Sequence, residues 1–109
     1  MNVRLYLWQR GTAMVMVPLL LVHLAVIFYA TRQGLTAADI LARTRGSVTW
    51  ALFYAAFVGA AAVHASIGLR NILVEWTGLR ARGAALAGTA FGVVLTALGL
   101  RAIAAVVLP

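Results

Sequence analysis

The sequence predicts an all-α integral membrane protein of three transmembrane helices, a three-helix half of a helical bundle. Three observations carry the prediction. Apolar residues make up 64% of the 109-residue chain and charged residues 10%, where a soluble domain carries about 25% charged. A soluble core of this size cannot enclose so much apolar surface, whereas a bilayer is itself an apolar solvent. The apolar residues fall into three runs of about 20 residues or more, long enough to cross a hydrocarbon core of roughly 30 Å as helices. The roughly 10-residue alternation of membrane barrel strands is absent. The chain reads as one domain over residues 1–109, with helices at about 12–31, 48–74 and 84–108.

The first run, "TAMVMVPLLLVHLAVIFYAT" from Thr12 to Thr31, follows Arg4 and Arg10. It exceeds the 7–15 residues of a signal-peptide core, and no small-x-small cleavage site follows it. A spanning helix is expected instead, with a bend tolerated at Pro18. The second run starts near Val48 and reaches Leu69. Its helix is expected to continue through "NILVEW" and end at Gly78. The third run, from Ala84 to Leu108, contains "GTAFG" between Gly88 and Gly92, with Gly99 one heptad on. That spacing predicts a close helix–helix contact. Between the first two runs, "RQGLTAADILARTRGS" is expected to hold a short interfacial helical turn capped by Thr36.

The formal net charge is +7, and every positive residue is arginine. The arginines flank the apolar runs, so they point to a bilayer and not to nucleic acid. Arg4, Arg10, Arg70, Arg80 and Arg82 share one side, against Arg32, Arg43 and Arg45 on the other. The excess predicts a cytoplasmic amino terminus. With no cysteine, disulfides, iron–sulfur ligation and thiolate zinc sites are excluded from this chain. The metal-ligand candidates are His23 and His64.

A histidine within a membrane helix marks a functional-site hypothesis. Ala56, Ala60, His64 and Gly68 recur every four residues and form one stripe. Small residues around an imidazole serve two purposes equally well. They let a neighbouring helix approach and bond the histidine, or they leave room for a flat ligand such as haem, which needs an axial imidazole. Arg70 lies about 9 Å along the axis from His64 and Arg10 on the same membrane side; either flanks the membrane or meets an anion. Glu75 is one of two acids in the chain, and pairing with Arg80 or Arg82 is its expected role, proton delivery the alternative. Trp8, Trp76 and Trp50 suit interfacial aromatic belts. His23 sits at a depth roughly 10 Å from His64, so one haem is not expected to take both.

The stretch "HASIGLRNILVEW", residues 64–76, resembles the second transmembrane helix of the membrane-anchor subunits of succinate dehydrogenase and fumarate reductase. The resembling pattern is His64, Gly68, Leu69, Arg70 and an acid eleven residues after the histidine, Glu75. "QRGTA" at the start of the first helix is similar to the family as well, and three helices in about 110 residues match its layout.

The resemblance implies an anchor subunit of a succinate:quinone oxidoreductase, without turnover alone. Its partners would be a flavoprotein subunit, an iron–sulfur subunit and a second three-helix anchor subunit, in a bacterial-type inner membrane. It implies haem b as cofactor, one group or two shared with the partner anchor, and ubiquinone or menaquinone as substrate. By the same carry-over His64 is an axial haem ligand, and His23 the candidate for a second haem. Arg70 and Arg10 would face propionates, and Arg10, Glu75, Trp76 and Tyr6 would border the quinone. Two positions depart from the family. Trp76 stands where one anchor type has a quinone-binding tyrosine, and Tyr6 where another has a serine. The competing reading is a non-haem structural or assembly protein of a respiratory complex, whose small stripes only pack helices.

Overall fold

The computed structural model describes residues 2–109 and is all-helical, with no strand among the described residues. Helix α1 spans Val3–Gln33, α2 Ala37–Thr44, α3 Val48–Thr77 and α4 Ala81–Val107. The long helices α1, α3 and α4 are each long and apolar enough to cross a membrane, and the chain is a multi-pass membrane protein.

Helix α1 starts well before its apolar run. Asn2 caps it by accepting from the Leu5 amide at 2.8 Å, which satisfies a free N-terminal donor. At 31 residues it is about 46 Å long, against a longest molecular dimension of 48 Å. The hydrocarbon core takes roughly 30 Å of that. Part of α1 therefore stands outside the core, carrying Arg4, Trp8 and Arg10. Helix α3 behaves alike at the same end: it runs unbroken through Arg70 and Glu75 and stops where Gly78 turns left-handed, at φ 70°. Pro18 sits inside a continuous α1.

The helix expected in the first connection is α2. Thr36 accepts from the Asp39 amide at 3.2 Å, and the Asp39 carboxylate accepts from the Thr36 amide at 2.8 Å. This reciprocal pair is a capping box. Its far end is tied to α4: the Thr44 hydroxyl donates to the Val106 carbonyl at 2.6 Å, and the Gly46 amide to the Val107 carbonyl at 2.7 Å. The last carbonyls of a helix lack internal partners, and the connection supplies two of them.

Helix α3 is the centre of the molecule, with α4 and α1 packed on different faces. The α3–α4 seam is built from small residues. Ala84 is fully buried, Ala62 is 6% exposed and Gly88 is buried, while large side chains such as Leu21, Phe28, Leu86 and Leu98 are exposed. This inversion is expected where lipid is as apolar as leucine and helices associate by close backbone contact. The GxxxG expectation holds. A Cβ at Gly88 would lie 2.5 Å from the Ser66 carbonyl oxygen, and one at Gly92 would lie 3.1 Å from Ser66 Cβ. At Gly99 it would lie 2.5 Å from a Val58 methyl.

These contacts rank the glycines. Gly88→Ala meets backbone that cannot rotate away, so the helices must separate; the expected loss is about 1–3 kcal/mol. Gly99→Ala meets a side-chain methyl that can turn, and is expected to cost less. Thermal unfolding of the detergent-solubilised assembly checks the order. At the opposite end, the Thr36 amide and then the Thr36 hydroxyl bond Asp39 and hold its carboxyl below its ordinary value of 3.8. Its contribution to the cap is therefore complete above that value and is lost as pH falls through the lower folded value. Asp39→Asn is expected to abolish this acid-side loosening of α2, read by amide exchange at residues 37–40.

Candidate functional site

His64 lies on the α3 face that meets α1, half-buried. Its Nδ1 is 3.3 Å from the Gln9 backbone carbonyl and 3.3 Å from Thr12 Oγ1. The carbonyl can only accept. Thr12 Oγ1 lies 2.7 Å from the Trp8 carbonyl and 3.1 Å from that of Gln9, so its one hydrogen goes back to its own helix. Its remaining lone pairs face His64. Both neighbours of Nδ1 are then acceptors, which assigns the proton to Nδ1 and leaves the lone pair on Nε2. No described residue bonds Nε2.

Gly68 is one turn further along α3. A Cβ there would lie 3.4 Å from Gln9 Nε2, so the Gln9 side chain fills the space over this glycine. Of the two uses open to the small stripe, the Gly68 end serves helix approach. Gln9 and Thr12 are three residues apart on one face of α1, and Thr12 is 8% exposed. Sequence reasoning did not single out either residue as a partner of His64. The available signal was two neutral polar residues at helical spacing, facing a histidine that needed an acceptor.

Two buried polar atoms at this end have no hydrogen-bond partner, Gln9 Oε1 and Arg70 Nε. Arg70 is on a different face of α3, where its Cβ approaches Gly88. Buried groups of this kind are seldom left open in a complete structure. A partner for Arg70 would be an anion and one for Gln9 Oε1 a donor.

The remaining candidates do not converge on His64. Tyr6 and Arg10 share a stripe four residues apart, but both are exposed, and Arg10 is turned about 100° from Gln9. Glu75 is exposed and Trp76 is 82% exposed at the end of α3. The pairing expected of Glu75 with Arg80 or Arg82 is not made; no ion pair forms among the described residues. The Gly78 turn ends α3 after Thr77, and all three side chains point out to the surroundings.

His23 occupies a separate level. Its ring stands edge-on to Tyr54 and Phe57, with centroids 5.7 and 5.8 Å away. With Tyr54, Val58 and Gly99 it lines a cavity of about 250 Å³. Thr12, beside His64, is eleven positions earlier on α1, about 16 Å along the axis. The two histidines therefore cannot meet one metal from opposite sides. Among the described residues no three His, Cys, Asp or Glu gather as a metal cluster, so a bare ion has no cage here. A metal with its own macrocycle needs only one imidazole from this chain, and His64 Nε2 has the right chemistry for that bond.

No curated protein and no solved structure matches the chain. The family model of the succinate dehydrogenase/fumarate reductase transmembrane subunit matches residues 2–104. That span takes in α1, α2, α3 and nearly all of α4. With three spanning helices and the match across nearly its full length, the chain belongs to the succinate dehydrogenase/fumarate reductase transmembrane subunit family.

Proposed function

We propose that this chain is the membrane anchor of a succinate:quinone oxidoreductase, that it ligates haem b through His64 Nε2, and that it forms part of the quinone site. The observation that carries the reading is the hydrogen bonding of His64. An axial histidine normally gives its other ring N–H to a carbonyl or carboxylate, which fixes the tautomer and the ring plane. Gln9 O and Thr12 Oγ1 receive His64 Nδ1 in that way. Bound haem would supply a one-electron carrier within the membrane.

The chain's own groups divide the rest of the work. Arg70 offers a half-buried guanidinium with an open Nε–H, suited to a propionate. Arg10 sits on the same membrane side as a second cation, bordering either a propionate or the quinone. Tyr6, Glu75 and Trp76 are exposed at that end, free to complete a quinone pocket with neighbouring subunits. Trp76 can donate through Nε1–H but cannot relay a proton, so proton delivery falls to Glu75. The partners in this reading are a flavoprotein subunit, an iron–sulfur subunit and a second three-helix anchor. Its setting is a bacterial-type inner membrane with the amino terminus cytoplasmic. Electrons from succinate reach the quinone through the soluble partners, and the dicarboxylate chemistry stays with them.

Haem content of the purified complex tests the reading. His64→Ala is expected to remove the b-type visible spectrum while succinate oxidation by an artificial acceptor persists. An unchanged spectrum assigns the ligand elsewhere. His23→Ala is expected to leave the haem count unchanged, since His23 packs on Tyr54 and Phe57; loss of one haem from two identifies it as the second ligand. At the quinone, Arg10→Ala and Trp76→Ala are each expected to raise KM for quinone about tenfold, the equivalent of one hydrogen bond. Artificial-acceptor activity should be untouched.

A further inference from the structure

We infer that Thr12 is a positioning residue for His64: its hydroxyl, with the Gln9 carbonyl, locks the imidazole in the Nδ1–H tautomer and so sets the donor strength of Nε2. The ligand-tuning half of this inference rests on the haem reading above. The tautomer half stands on the chain alone.

A threonine hydroxyl has one hydrogen and two lone pairs. In a helix that hydrogen can return to the carbonyl four residues back, and Thr12 Oγ1 is 2.7 Å from Trp8 O. The hydroxyl is thereby committed as a donor within α1 and turns its lone pairs toward α3. His64 Nδ1–H is then shared between two acceptors, each 3.3 Å away. Distances this long are usual for a three-centre bond and weak for a single one. The opposite tautomer would set a bare Nδ1 lone pair against the Gln9 carbonyl oxygen. It would also take the Thr12 hydrogen away from Trp8. Free histidine in water favours the Nε2–H form, so the pocket reverses the intrinsic preference.

The burial of the pair makes the bond matter. Thr12 is 8% exposed and His64 half-buried, so water competes poorly for Nδ1–H. Gly68 contributes by its missing side chain, since the Gln9 side chain lies over it and α1 can sit at this distance. Donation from Nδ1–H strengthens Nε2 as a ligand, and outer partners of this kind typically change metal affinity 10–100-fold. Were haem bound at Nε2, the stronger nitrogen donor would favour oxidised iron, and Thr12 would thereby lower the potential.

The test compares Thr12→Val with Thr12→Ser. Valine keeps the β-branched shape and loses the acceptor; serine keeps the acceptor. In the chain in bilayers, 15N NMR of His64 should show the proton on Nδ1 in the wild type and in Thr12→Ser. In Thr12→Val it should show a mixture of tautomers. A wild-type His64 protonated on Nε2 overturns the inference. In the assembled complex, Thr12→Val should raise the haem midpoint potential and weaken haem retention about tenfold, with Thr12→Ser close to wild type. A Thr12→Val complex with unchanged potential and retention overturns the tuning role, even where His64→Ala loses haem and the haem reading stands. Haem retained in His64→Ala sinks the haem reading itself and the tuning role with it.

Discussion

A polar side chain packed between helices needs a partner within the protein, and His64 answers that constraint with a bond across to α1. The imidazole is met by a backbone carbonyl and a hydroxyl on one face of α1, and the register of the two helices follows from that meeting. The contact places Gln9 over Gly68 and buries Thr12. It also fixes which ring nitrogen remains available.

The rest of the molecule holds α3 still for that purpose. On another face, Gly88 and Gly92 bring α4 against Ser66 at backbone distance. At the far end, Thr44 and Gly46 take up the last carbonyls of α4. Tyr54 and Phe57 stand edge-on to His23, with Trp50 stacked on Tyr54 and Phe53 edge-on to Phe57. These contacts are all local packing or hydrogen bonding. The buried polar atoms left open are Arg70 Nε and Gln9 Oε1, both toward the end that carries Arg4, Arg10 and Trp76. Satisfied packing at one end and open polar atoms at the other is the asymmetry expected of a subunit whose ligands and partners gather on one side of the membrane.

Much of this was legible in the sequence where the signal is local. The three spans follow from run length, the Gly78 stop and the Thr36 cap from single residues, and the Gly88–Gly92 seam from spacing. The early start of α1 was not legible, because hydropathy marks where the membrane begins and not where the helix begins; Asn2 was the overlooked cap. The bond from Thr44 to Val106 joins positions far apart in the chain, and no local pattern encodes it. The same holds for Gln9 and Thr12. Their types were visible, but only the packing angle of α1 on α3 decides that they face His64 while Arg10 and Tyr6 face away. Glu75 shows the reverse error, where sequence proximity to Arg80 and Arg82 suggested a pair that the Gly78 turn does not bring together. The family resemblance read from His64, Gly68, Arg70 and Glu75 agrees with the family match over residues 2–104.

The central claim is that His64 Nε2 is the nitrogen that holds the haem. The most direct measurement is the visible spectrum of the complex carrying His64→Gly, with and without added imidazole. The glycine removes the ligand and opens a space of its shape. The low-spin b-type spectrum is expected to be lost, and added imidazole to restore it. A low-spin spectrum that persists in His64→Gly without imidazole would contradict it.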